Sequence, residues 1–213
     1  MTTAMARDVA SGPESGRRRP EPRQRLIAGA ADMLRRRGLS ATSIRDLAEH
    51  SNAPLGSTYH YFPGGKTEVV TEAVRYAGHL IERVLAEELE RGPVHGLRSF
   101  LDLWRDSVTR SRFRAGCPVL AVTVEDPTDG DTTVIDAAAE VFAAWEFLLA
   151  SALRAHGARR KQARQVATLV VASIEGTVAL CRAERSIRPL DDVAAQLEAV
   201  VASAIGEAET KGS

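Results

Sequence analysis

The chemistry most readily recognised in this chain lies between Ser43 and Lys66. Tyr59-His60-Tyr61-Phe62 is followed by Pro63-Gly64-Gly65-Lys66, so phenol hydroxyls, an imidazole and an ammonium group leave one short segment together. Groups of this kind hydrogen-bond phosphate oxygens and base edges. The residues leading up to them read as two short helices joined by a tight turn, and a helix-turn-helix sends the second of its helices into a DNA groove. No glycine-rich phosphate loop follows a strand and no paired carboxylates stand out, which leaves little for an enzyme to work with.

The elements that must position these residues follow from apolar spacing and punctuation. From Arg23 the pattern is helical, with Leu26, Ile27, Ala30 and Leu34 sharing a face and Gly38-Leu39 as the stop. Thr42 and Ser43 offer hydroxyl caps to a second helix, Asp46 stands three residues after Ser43 as a capping-box partner, and Ile44, Leu47 and Ala48 form its stripe to about His50. Asn52 suits the left-handed turn and Pro54 the first turn of a third helix ending at Phe62. Pro63-Gly64-Gly65 breaks the pattern before a long helix over 66–90.

The remainder is helix after helix. Gly92-Pro93 precedes a segment with Leu97, Leu101, Trp104 and Val108 on one face, and Gly116-Cys117-Pro118 interrupts the chain again. The apolar run 119–124 has no partner strands and is expected to be a short buried helix. A loop over 126–131 leads into a helix carrying Val134, Ala138, Val141, Phe142, Trp145 and Leu149, which Gly157 ends. Helices over 159–184 and 191–207 are apolar round most of their circumference and therefore require burial on more than one side. The expectation is an all-α chain with a basic, disordered arm over 1–21, a helix-turn-helix domain over 22–68 and a larger helical domain over 69–213.

Composition narrows the class. The chain has 213 residues, 44% apolar and 26% charged, which is ordinary for a globular protein, and no run reads as a spanning helix. The N-terminal stretch lacks the apolar segment of a secretory signal, so a cytoplasmic location and no membrane partner are expected. The zero net charge hides an asymmetry: residues 1–68 carry four more bases than acids and residues 69–213 four more acids than bases. Positive charge thus accompanies the turn motif, as phosphate attraction requires, and Arg17-Arg18-Arg19 sits in the arm. Cys117 and Cys181 have apolar surroundings and no metal or disulfide spacing, and read as buried thiols.

The stretch from Thr42 to Lys66, with its Gly56 to Phe62 core and Phe-Pro-Gly-Gly-Lys ending, resembles the DNA-binding domain of the TetR family of bacterial transcriptional regulators. Gly116-Cys117-Pro118, Ile174-Glu175-Gly176 and Ala183-Glu184-Arg185-Ser186 look like its LmrA/YxaF branch. The resemblance implies an all-helical homodimer, joined through the last two long helices, that binds a double-stranded operator and is released from it by a small molecule. Site by site it implies that Thr42 or Ser43 caps helix two and touches a phosphate, with Arg45 beside them. Gly56 would admit the DNA backbone, Tyr59, His60 and Tyr61 would make phosphate and base contacts, and Lys66 would add a charge at a helix end. Of the tyrosines, Tyr61 is favoured for DNA. Pro54 and Leu55 depart from the family's polar pair, so base reading is expected to rest on Leu55 against a thymine methyl, with Thr58 and His60.

The rings gather in the central region, as a flat apolar effector would require. Phe100, Trp104, Cys117, Phe142 and Trp145 are the candidate pocket residues. No cofactor, metal or catalytic group is expected. Two competing classes are a thiol-based sensor using Cys117 and a helical interaction module without DNA binding.

Overall fold

A computed structural model describes residues 21–126 and 130–206, and these form helices with no strand among them. The arm with Arg17-Arg18-Arg19 falls outside the described residues. In chain order the helices are α1 Pro22–Arg37, α2 Ile44–His50, α3 Leu55–Tyr61, α4 Gly65–Leu89, α5 Pro93–Arg110, α6 Pro118–Thr123, α7 Thr133–Ala155, α8 Arg160–Glu184 and α9 Arg188–Gly206.

Local signals set most of these limits. Pro22 and Pro93 open α1 and α5 at the position where a missing N–H costs nothing. Gly38 and Gly92 adopt positive φ at the adjoining corners. Ser43 Oγ accepts from the Asp46 amide at 3.1 Å and donates to the Asp46 carboxylate at 2.5 Å, so Ser43 is the α2 cap. Asn52 takes the left-handed turn at φ 49°. Pro54 precedes α3 as its N-cap and does not enter the first turn. The final helix begins three residues earlier than the sequence pattern indicates, because Pro189 fits a first turn and Ser186 Oγ accepts from the Arg188 amide.

The body is built round α4. It packs on α1 at its head end and on α5, α6 and α7 further along, while α8 packs between α7 and α9. Leu26, Ala30, Met33 and Leu34 of α1 bury against Val69, Val70, Ala73 and Val74 of α4, so one continuous core runs from the head into the body. Midway along α4 the approach to α7 is close: a Cβ placed on Gly78 would lie 2.4 Å from Val141 Cγ2. The indole N–H of buried Trp145 donates to the Gly78 carbonyl at 3.2 Å across the same contact.

One expectation is revised here. By length and composition α8 is apolar enough to cross a membrane, but half of its most apolar stretch is buried within the fold. Val166, Val170, Ile174 and Val178 face the core, while Leu169 and Leu180 stand exposed on the other side.

Alanine favours a helix over glycine by about 1 kcal/mol, yet Gly78→Ala must push α4 from α7, and overpacking of this kind costs about 1–3 kcal/mol. Equilibrium unfolding should therefore show Gly78→Ala less stable than the parent chain.

Candidate nucleic-acid interface and effector cavity

The head is α1, α2 and α3. Burial of Phe62 fixes its recognition end, with the Arg23 guanidinium 5.1 Å from the ring centroid and also paired with Glu72 of α4. Asp32 on α1 holds Arg35, Arg36 and, at 3.3 Å, His50 at the end of α2. Partial burial works against the Asp32 charge, but the two guanidinia bring its carboxyl below the usual carboxylate range.

The phase of α3 decides which side chains face outward. Successive helical residues are rotated by 100°, so Tyr59 and His60 turn away from the buried Thr58 and Phe62, while Leu55, seven positions before Phe62, stands at the edge of that inward face and is 37% exposed. Leu55, Gly56, Tyr59 and His60 are exposed, Tyr59 at 55%. Tyr61 is half-buried against the core, its ring edge-on to His60 at 5.8 Å. The more outward phenol is thus that of Tyr59, whereas the sequence reading favours Tyr61.

Two threonines also depart from the expected site. Thr58 is fully buried and donates to the Pro54 carbonyl at 3.3 Å; Thr42 is 1% exposed and donates to the Gly38 carbonyl at 2.8 Å. Both hydroxyls are occupied inside the head, and the cap belongs to Ser43, which is exposed beside Arg45. Lys66 is half-buried at the start of α4, where Gly64 N–H already donates to Glu68 at 2.7 Å.

Glu125 is a polar link between head and body. From the end of α6 it accepts from the Leu39 amide at 2.6 Å and the Ser40 amide at 2.8 Å, and also from the Ser40 hydroxyl. At the other end of α6 the Gly116 amide donates to the Arg35 carbonyl at 2.7 Å. The short helix is therefore tied to the end of α1 at both of its ends. Partial burial opposes the Glu125 charge, but the Ser40 hydroxyl, the two amides and the nearby Lys66 hold its carboxyl below the usual range.

The candidate pocket residues separate into two groups. Phe100, Trp104 and Trp145 are fully buried with ring centroids 6.0–6.4 Å from Phe100, and Phe142 adjoins Trp145 at 5.5 Å. Phe142 lines a cavity of about 360 Å³ between α7 and α8, together with Leu120, Glu146, Val171 and Glu175. Trp104 lines a different cavity, of about 480 Å³, among α1, α4 and α5. Phe100 and Trp145 line neither of these two and fill the core between helices.

Glu175 was not among the expected site residues. It is 5% exposed, and neither carboxylate oxygen has a hydrogen-bond partner. Burial raises its pKa to about 7. The Cys117 thiol offsets a little of that rise, although by geometry it makes no hydrogen bond to either oxygen. Cys117 itself caps α6, its sulfur accepting from the Leu120 amide at 3.4 Å. Burial first, and the Glu175 charge second, push this thiol well above its ordinary value, which disfavours the thiolate a sensor would need. The available sequence signal for Glu175 was a carboxylate midway along an apolar helix. Among the described residues no cluster has the makings of a metal site.

Comparison with known proteins agrees with this geometry. Residues 26–73 match the model of the TetR family of bacterial regulatory proteins, and residues 93–196 match that of the LmrA/YxaF-like transcriptional regulator C-terminal domain. An uncharacterized HTH-type transcriptional regulator of Mycobacterium tuberculosis is 39% identical over 190 residues, spanning 87% of this chain and 97% of its own. The HTH-type regulator YxaF of Bacillus subtilis is 28% identical over 86% of this chain and 96% of its own. Among solved structures, a TetR transcriptional regulator from Legionella pneumophila superposes with a TM-score of 0.73 at 18% identity, over 82% of this chain and 94% of its own. The molecule is thus a helix-turn-helix transcriptional regulator, built as a reading head on a helical body. It belongs to the TetR family, in the branch of LmrA and YxaF.

Two variants probe the carboxylates. Because the Glu125 pKa is lowered in the fold, its contribution is present above the unfolded carboxylate range and is lost as pH falls through the folded value. Glu125→Ala should cost about 1–3 kcal/mol at neutral pH, with the difference in melting temperature narrowing below about pH 4. Glu175 has the opposite sign: its raised pKa costs stability as pH climbs from about 4.5 through about 7. Glu175→Gln should gain up to roughly 3 kcal/mol above pH 7 and almost nothing at pH 4.

Proposed function

We propose that the chain is an effector-responsive repressor that acts in the cytoplasm as a homodimer. Two heads occupy the half-sites of a pseudo-palindromic operator, and a small molecule bound in the body releases them. The observation that carries the DNA side of this reading is the outward face of α3, where Leu55, Gly56, Tyr59 and His60 lie together on a rigid helix. Tyr59 and His60 supply donors to phosphates and base edges, Leu55 offers an apolar contact for a thymine methyl, and Gly56 leaves room for close approach. A Cβ on Gly56 would meet nothing within 4 Å in the protein itself, so the space there is open to a ligand strand. Ser43, Arg45 and Lys66 flank this face as phosphate contacts.

The dimer is assigned to α8 and α9. The outward side of α8 presents Leu169 and Leu180 with the small residues Ala172, Gly176 and Ala179 between them. Four-helix packing of two such pairs covers that stripe and answers the apolar excess of these helices.

The reading is tested by selecting bound fragments from the source genome and measuring affinity by fluorescence anisotropy. Tyr59→Ala should weaken operator binding about tenfold or more, as loss of a contact worth about 1–3 kcal/mol requires, whereas Tyr61→Phe should leave it within about twofold. Leu55→Ala should relax preference at the position it reads without abolishing binding. Affinity should fall steeply between low and physiological salt, and a flat response would remove the phosphate contacts from this model.

A further inference from the structure

The α7–α8 cavity holds one feature that its apolar lining does not explain. Glu175 is 5% exposed and stands in the cavity wall with Phe142, Leu120 and Val171; its carboxylate oxygens, each with less than 1 Å² of accessible surface, lie beneath that wall without a hydrogen-bond partner. A lone carboxyl in such a place is costly: a buried charge needs pairing, and removing its solvent without replacement costs several kcal/mol. Among the described residues no cation pairs with Glu175. Burial and the Cys117 thiol are what set its ionisation. Arg182, two turns further along α8, packs against Gly116, where a Cβ would come within 3.0 Å of its Nη1. Glu146, on the same cavity wall, also borders a groove shared with Arg154, Arg160, Lys161 and Arg164, so basic groups stand near it; Glu175 has none of these.

We propose that Glu175 selects the effector, accepting the ammonium head of a small aromatic amine whose ring lies against Phe142 and the aliphatic lining of the cavity. The inference rests on the effector-responsive reading above and adds the ligand's chemical class. The volume of about 360 Å³ suits a two-ring molecule. An amine brings the missing cation and up to three donors once a side-chain rotation turns the two Glu175 acceptor oxygens to the cavity, while the Glu175 carboxylate repels an acid. Position links the site to the head. Glu175 abuts Cys117, the cap of α6, and α6 is the helix bound to α1 through Gly116 and Glu125. The cavity mouth lies beside Ala172, Gly176 and Ala179 on the outward side of α8, so a dimer through that face places the partner over it.

The test uses full-length protein, isothermal titration calorimetry and three probes that share a ring system and differ in the head group: naphthylmethylamine, naphthalenemethanol and naphthoate. The amine should bind about tenfold tighter than the alcohol, equivalent to about 1.4 kcal/mol, and naphthoate should bind weakest. Glu175→Gln should bring the amine down to the alcohol's affinity and leave the alcohol within about twofold. Glu175→Leu should do the same, and retained helical melting in both variants separates loss of selection from loss of fold.

Equal affinity for amine and alcohol, or an amine affinity unchanged in Glu175→Gln, overturns the proposal while leaving the regulator reading intact. Binding of none of the three probes by the parent protein also overturns it. So does a Glu175→Gln protein whose dimer dissociates and whose parent shows no amine preference, since the carboxylate then pairs with a second copy. Glu175-dependent amine binding that leaves operator affinity unchanged sustains the ligand class and overturns effector control by this cavity.

Discussion

The attachment of α6 to the end of α1 is the constraint through which head and body become one object. A helix of a single turn and a half has little stability of its own, because nucleation is costly and few internal hydrogen bonds repay it. Its position is instead imposed from outside, by the Gly116 amide on the Arg35 carbonyl at one end and by the Glu125 carboxylate on the Leu39 and Ser40 amides at the other. The Leu39 and Ser40 amides lie in the corner beyond α1, where α2 has not yet begun, so the body meets a need for hydrogen-bonding partners that the head leaves open. The orientation of α2 and α3 is thereby referred to α6, and through Cys117 to the wall of the α7–α8 cavity.

The two carboxylates at either side of this helix illustrate opposite uses of the same group. Glu125 is surrounded by donors and stays charged at little cost. Glu175 is surrounded by hydrocarbon and a thiol that the charge itself makes less acidic. The first stabilises the native arrangement; the second is a local liability retained in a well-packed helix. Such a liability is common where a ligand completes the environment.

Much of the helix inventory was legible because it is written in local chemistry. Gly38, Ser43, Asn52, Pro93 and Gly157 act on their immediate neighbours, and apolar spacing does the rest. What escaped depends on phase or distance. Choosing Tyr59 over Tyr61 requires knowing that α3 packs on the core through Thr58 and Phe62. Choosing Ser43 over Thr42 requires the extended backbone at Ser43, at φ −113° and ψ 159°. Glu125 meets Leu39 across 86 positions, and Glu175 meets Cys117 only through the tertiary fold, so neither role leaves a short-range trace. The aromatic residues were placed in the right region, but whether a ring such as Phe142 borders empty space or, like Trp145, fills the core is decided by its neighbours.

The close contact at Gly78 gives the long helix a fulcrum. α4 rises about 1.5 Å per residue, so the Gly65 end lies about 20 Å from the place where Val141 leaves no clearance. A tilt of roughly five degrees about that point would carry the start of the helix sideways by about 2 Å on the same geometry. In a dimer of the kind proposed the displacement would be applied twice, related by the two-fold axis, and two reading heads matched to one face of a duplex would change their spacing by up to about twice that amount. A single missing methyl group thus sets how closely α4 and α7 approach.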